Sequence, residues 1–446
     1  MILTKDKSFY KELFSLSAPM ALSNLITFLI TLSDSIMIGR LGDVQIAAAY
    51  VGTLAATVMQ MLITGFESGM IVIGTQYYGK GDMDKIKKTA SSAIIFMLTA
   101  GVSFCALLVT FKTGITHLFL SGESVDLGVK YLNLIAYSFP FFALSGALTS
   151  VFRCVESVKI NVISSLSALF INLVFNYLLI FGNLGFTKMG IEGAGIATVI
   201  ARITELAILL IYTFLIDKKI KLRSFFATEK ASFSEFIKYT LPIVVGQTIW
   251  IVNTLFSSFI ISKFGKNETV AAFSIANTLG SVAYIAMNGL SSAVGIIIGK
   301  TIGENKLCKI KEYSYTTQIL FLALGVLTSL FLAVSKIPFV SLYNSSEATV
   351  NIAKSLITVL CFTVIGTSYQ SASLMGVVRA GGDVSFILKN DAVFIFLIVI
   401  PLSLLAKNLG APVWLVFLAL KSDQILKCIP AAIKINRFRW IRKIAK

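Results

Sequence analysis

A carboxylate, two carboxamides and a hydroxyl stand out because each lies inside a long apolar run: Asp34, Asn172, Asn176 and Thr198. Polar groups that could ionise or bind ions at membrane depth are costly, so they mark function. Asp34 lies roughly 8 Å from the outer end of its run at 1.5 Å per residue. Asn172 and Asn176 are spaced i, i+4 and share one helix face in the outer half of another run. Thr198 falls at a similar depth in the next run, which returns across the membrane. Four oxygen-bearing side chains from three helices therefore reach one level. A Na+ ion needs hard oxygen ligands beside a negative charge, and Asp34 with Asn172 and Asn176 supplies that set. A carboxylate removed from water can also take up a proton, so H+ is the alternative ion. The competing structural reading has Asp34 capping a neighbouring helix and the asparagines joining helices.

Arg202 and Glu205 lie deeper on the Thr198 face. They read as a fixed ion pair, with a place on an ion path as the alternative. Glu67 is a candidate cation contact or relay. Lys421 and Asp423 are a candidate counterpart of the Arg202 pair late in the chain. Asp391 reads as water-exposed near the end of its run. His117, the only histidine, is placed in an outer loop. The 34 phenylalanines and 11 methionines suit a promiscuous pocket but more often pack against lipid or core. The segment from Gly295 to Thr301 imitates a phosphate-binding loop, yet Val294 stands at its first glycine position and a hydrophobic helix surrounds it.

The elements that must hold these residues are membrane helices. Hydrophobic residues make up 56% of the 446 and charged residues 14%, against about 25% charged in soluble domains. A crossing takes about 20 apolar residues. Expected spans run 16–39, 46–75, 89–111, 131–152, 160–182, 192–215, 239–262, 269–299, 314–335, 349–377, 385–407 and 411–433. The fold class is thus an all-α polytopic membrane protein of about twelve helices. The net charge of +17 does not signal nucleic acid. Most of the 39 Lys and Arg fall on alternate connections and both ends, including Arg153, Lys218, Lys221, Arg223, Arg379, Lys427 and Lys446. That is the positive-inside pattern, with both termini cytoplasmic and anionic lipid nearby. The five cysteines fall in spans or on the reducing side and form no framework. The polar start reads as no cleavable signal peptide.

The two halves resemble each other. Pro19 and Pro242, Gly42 and Gly265, and Ala48 and Ala271 each stand 223 residues apart. The repeat predicts an N-lobe of 1–222 and a C-lobe of 223–446, six helices each, with the cut in a basic linker. Even-numbered halves enter the membrane in one sense, so a pseudo-twofold along the membrane normal is expected, with the path between the lobes.

The order of motifs resembles the multidrug and toxic compound extrusion (MATE) family. These are SAPMAL through GRLG in the first span, Q-x-x-G-x-G-D from Gln76 to Asp82, N-x-x-x-N-Y-x-L-I-F-G from Asn172 to Gly182, GIEGAGIAT from Gly190 to Thr198, and GVVRAGGD from Gly376 to Asp383. The resemblance implies a transporter rather than an enzyme, and no cofactor beyond a coupling Na+ or H+. It implies antiport of amphipathic, often cationic, small molecules from the inner membrane, by a monomer. The matching positions are the family's N-lobe cation site. Some members add a glutamate in the seventh span, where this chain has Gln247 and Asn253, and Ser257 stands where the repeat would place a second aspartate. Coupling is therefore expected in the N-lobe alone. The alternative is a lipid-linked oligosaccharide flippase of the same superfamily. It needs cavity cations for a pyrophosphate, and Arg202 and Lys421 each have an acid nearby.

Overall fold

In the computed structural model, the described residues are 3–41, 43–120, 124–217, 219–220, 229–264, 267–341 and 346–444. The repeat glycines Gly42 and Gly265, the basic residues Lys218, Lys221, Arg223 and Lys446, and the expected lobe cut lie outside them.

Every regular element among the described residues is helical. Short π-helical segments at Tyr212–Ile216, Ser373–Val378 and Ile395–Val399 continue the α-helices, which in chain order are α1 (Lys7–Gly39), α2 (Asp43–Lys80), α3 (Met83–Phe119), α4 (Ser124–Ala136), α5 (Phe139–Cys154), α6 (Lys159–Phe181) and α7 (Ile191–Ile211). There follow α8 (Lys230–Ser262), α9 (Asn267–Gly303), α10 (Leu307–Val340), α11 (Glu347–Ala372), α12 (Val384–Phe394) and α13 (Ile400–Asn408). The last are α14 (Val413–Leu420), α15 (Ser422–Leu426) and α16 (Cys428–Asn436). Among the described residues, eleven stretches are long and apolar enough to cross a membrane. The twelfth expected crossing is present as α14, α15 and α16, interrupted at Lys421 and Lys427. This is a multi-pass membrane protein.

Local chemistry sets the breaks. Asp82 caps α3 by accepting from the Lys85 backbone N–H at 3.0 Å, and Ser346 caps α11 likewise through Thr349. Gly182 ends α6 in the left-handed region at φ 75°, where a side chain would be strained. The fourth crossing bends at Tyr137 and Ser138, just before Pro140, and so begins earlier than expected. His117 lies in the last turn of α3 and not in a loop, because that helix runs eight residues past its expected end at 111.

Lipid gives little hydrophobic drive between helices, so small residues set how closely they approach. A Cβ on Gly101 of α3 would sit 2.8 Å from Ala143 of α5. One on Gly193 of α7 would meet the Leu179 backbone of α6 at 2.7 Å, and one on Gly325 of α10 would meet Ile365 of α11 at 3.0 Å.

The residues group into two compact units. One comprises Leu22–Gly74 and Gly81–Leu241. The other comprises Met1–Ala21, Thr75–Lys80 and Pro242–Lys446. The first holds all seven candidate site residues. Within it, Glu229 pairs with Lys88 and Lys85, and the hydrogen bonds from these two ammoniums hold its carboxyl below the usual glutamate range. In the second, Asp6 is bonded by Ser8, Lys309 and Tyr313, which pull its carboxyl well below the ordinary carboxylate range.

Candidate functional site

The fold brings α1 and α6 together around Asp34. Asn176 of α6 donates its Nδ2–H to Asp34 Oδ1, and to Asn172 Oδ1 at 3.1 Å. Both asparagines are fully buried. One α-helical turn separates them, so the i, i+4 spacing makes them neighbours. Two of their polar atoms, Asn172 Nδ2 and Asn176 Oδ1, have no hydrogen-bond partner among the described residues. A buried polar atom left unpartnered costs free energy, and natural structures keep few of them. Here one is an oxygen acceptor on the side chain that touches a carboxylate.

Thr198 does not join this set by a hydrogen bond. Its Oγ1 donates to the Ala194 carbonyl at 3.0 Å, one turn back in α7. A mid-helix threonine often satisfies its hydroxyl in this way.

Arg202 and Glu205 form the expected ion pair, Nη1 to Oε2 at 2.8 Å, with side chains 16% and 12% exposed. The guanidinium also lies 4.0 Å above the Phe142 ring. It acts electrostatically on Asp34, and Glu205 acts on Glu67. Glu67 has its own partner: Arg153 Nη1 donates to its Oε2 at 3.0 Å. Arg153, expected in a connection, is instead the last-turn residue of α5 and folds inward onto α2. Gly146 leaves the room, since a Cβ there would approach Glu67 Oε1 to 3.1 Å.

Tyr131 of α4 was not singled out from the sequence. It is 3% exposed and interacts electrostatically with Asp34. A glycine makes room for its ring: a Cβ on Gly52 would fall 2.3 Å from it. Gly52→Ala is therefore expected to push Tyr131 off its place and to weaken dye export several-fold while the protein still inserts. Dye-export assays on equal amounts of membrane protein check this.

Charged residues in the other unit pair differently from expectation. Lys421 does not pair with Asp423; it lies 5.6 Å from the Phe417 ring. Lys427, expected in the cytoplasmic tail, is fully buried and bridges Asp391 at 2.8 Å and Asp423 at 3.1 Å. Asp391 is 4% exposed and so not water-facing. Desolvated charges need partners, and the breaks in the last crossing let Lys427 reach both acids. Asp391 also lines a cleft with Pro242, Gln247, Trp250, Met375 and Arg379. Ser257 donates to its own helix, to Asn253 O at 2.8 Å. Gly295–Thr301 lies within α9, so it forms no phosphate-binding loop.

Long apolar helices thus hold a partly buried carboxylate against two buried carboxamides. The MatE family model matches residues 19–178 and again 242–405, segments whose starts are 223 apart, the offset of the two prolines. This chain belongs to the MatE family. It is 24% identical over 390 residues to a probable multidrug resistance protein NorM of Listeria monocytogenes, covering 84% of this chain and 83% of that one. It is 26% identical over 362 residues to the probable NorM of Neisseria meningitidis, covering 78% and 77%. The fold matches the Vibrio cholerae MATE transporter VcmN in its bent form with a TM-score of 0.85 at 18% identity, covering 96% of this chain and 97% of that one.

Proposed function

We propose that this protein is a cation-coupled antiporter that exports amphipathic, often cationic, small molecules by alternating access between two lobes. It would sit in the inner membrane with both termini cytoplasmic. The observation that carries the reading is the Asp34 carboxylate against Asn176, whose own oxygen is buried and unpartnered. That the relatives are probable multidrug resistance proteins supports the class of cargo.

The chemistry of the coupling step follows from those groups. An ionised Asp34 accepts an amide N–H from Asn176. A Na+ ion beside Asp34 requires oxygens instead, and half a turn of the Asn176 amide supplies one, because oxygen and nitrogen exchange places. Asn172 Oδ1, released from Asn176, becomes a second neutral ligand. A proton needs no such turn, since Asp34 once protonated can itself donate. Arg202, held by Glu205 and Phe142, places positive charge near Asp34 and so favours release of the cation when the lobes change state. Drug binding shifts that balance only by its difference in affinity for the two states.

The test uses proteoliposomes loaded with a fluorescent cationic dye. An inward Na+ gradient or an inward H+ gradient is imposed in separate runs. Export driven by one gradient and collapsed by the matching ionophore supports antiport and names the ion. Flux indifferent to both gradients would refute coupling. No dye movement, with transfer of a lipid-linked sugar instead, would establish the flippase reading.

A further inference from the structure

Beyond the coupling site, the segment after the last crossing is bound into the protein. Trp440 is completely buried and donates Nε1–H to the Ile435 carbonyl at 3.0 Å. It fits because position 381 is glycine: a Cβ there would lie 2.2 Å from the indole. The Arg442 backbone N–H donates to Gly381 O at 2.8 Å, and its guanidinium pairs with Asp383 at 2.7 Å. Lys434 takes the other Asp383 oxygen at 2.6 Å. Lys443 donates to Asn305 at 2.6 Å.

The last link reaches the end of α2. Gln76 is fully buried, and both ends of its amide are used. Nε2–H donates to Ala380 O at 3.0 Å, and Oε1 accepts the Ile444 N–H at 2.9 Å. The same turn of α2 is interlocked with α9. A Cβ on Gly79 would lie 1.9 Å from Lys300 O, one on Gly303 2.0 Å from Gln76 O, and one on Gly299 2.0 Å from Thr75 Oγ1. Residues 75–80 cluster with 242–446, although the rest of α2 clusters with the other unit.

We propose that residues 437–444 are a strap that keeps the 75–80 turn of α2 seated against α9 and so sets how often this face opens. The proposal rests on the alternating-access reading, in which α2 moves with its own unit and this turn has to leave its partners. A loosened strap would raise the open population at this face.

The reporter is Thr75→Cys, which exchanges the hydroxyl for a thiol and removes one methyl at a fully buried position; the reporter alone is the parent against which rates are read. The purified full-length protein in lipid nanodiscs is treated with a membrane-impermeant maleimide, and alkylation at 75 is read by peptide mass spectrometry. Trp440→Ala, and separately a chain shortened after Phe438, are expected to speed alkylation about tenfold. Trp440→Phe should stay near the parent rate. Rates within about twofold of the parent in both strap variants would overturn the proposal. So would an equal acceleration at native Cys361, which packs in the α9–α11 core, since the tail would then support the fold as a whole. Should the shortened chain fail to fold, Trp440→Ala decides alone. Alkylation needs neither gradient nor dye, so failure of antiport and failure of the strap are told apart.

Discussion

Asp34→Asn is expected to abolish gradient-driven export without unfolding the protein. The substitution keeps shape, and the new carbonyl oxygen can still accept the Asn176 N–H. What disappears is the charge. A monovalent cation 4 Å from a carboxylate gains about 4 kcal/mol at an effective dielectric constant near 20, so ion affinity should fall roughly a thousandfold. A proton-coupled carrier fails as well, because an amide cannot take the proton. The measurement is dye export from proteoliposomes under the driving gradient, alongside dye binding in detergent. Binding should persist within a few-fold while driven export vanishes. Export equal to the parent would move coupling to Glu205 or Glu67, the other two acids among the candidate site residues.

The second large effect concerns stability. Lys427→Ala leaves Asp391 and Asp423 buried with their shared cation gone. Breaking one partner out of a buried ion cluster costs about 3–5 kcal/mol. The melting temperature in detergent should drop by several degrees, and the yield of monodisperse protein with it. Removing the whole cluster should behave differently. Lys427→Met combined with Asp391→Asn and Asp423→Asn removes both carboxylate charges together with the ammonium and is expected to recover part of the loss, the remainder reflecting the partly buried Arg379 guanidinium, which loses its electrostatic partner Asp391. An unchanged melting temperature for the single variant would mean that water reaches the two carboxylates.

The reach of the sequence depended on distance along the chain. Asn172 and Asn176 could be placed together because helical periodicity fixes neighbours at i, i+4, and the Arg202–Glu205 pair follows from the same rule at i, i+3. Asp34 could be matched to them by depth, since length along a helix converts directly to height in a membrane. Depth does not fix rotation about the helix axis, which is why Thr198 turned to its own backbone. Pairs from distant helices carry no periodic signal. Arg153 stands 86 positions from Glu67, and a hydropathy profile ends the crossing before it. Lys427 was hidden by its type: a lysine near the end of a basic chain looks like a tail residue. Only the helix breaks at 421 and 427 carry it inward. The socket of Tyr131 rests on Gly52 in α2, and no spacing in the chain announces it.

Those breaks bear on how the protein is made. Arg, Lys and Asp near the middle of a helix oppose insertion by about 2.5–3.5 kcal/mol each, whereas a leucine or valine favours it by only about 0.3–0.6. The stretch from Val413 to Asn436 carries Lys421, Asp423, Lys427 and Lys434, so its apolar head of eight residues has little margin with which to pull the remainder into the bilayer. Asp423 offsets part of the Lys427 charge within the segment, and Asp391 completes the neutralisation from the helix before it. The final crossing thus inserts efficiently only beside an already threaded neighbour, and a defect at Asp391 would surface first as a misassembled chain handed to quality control, before any loss of transport could be measured.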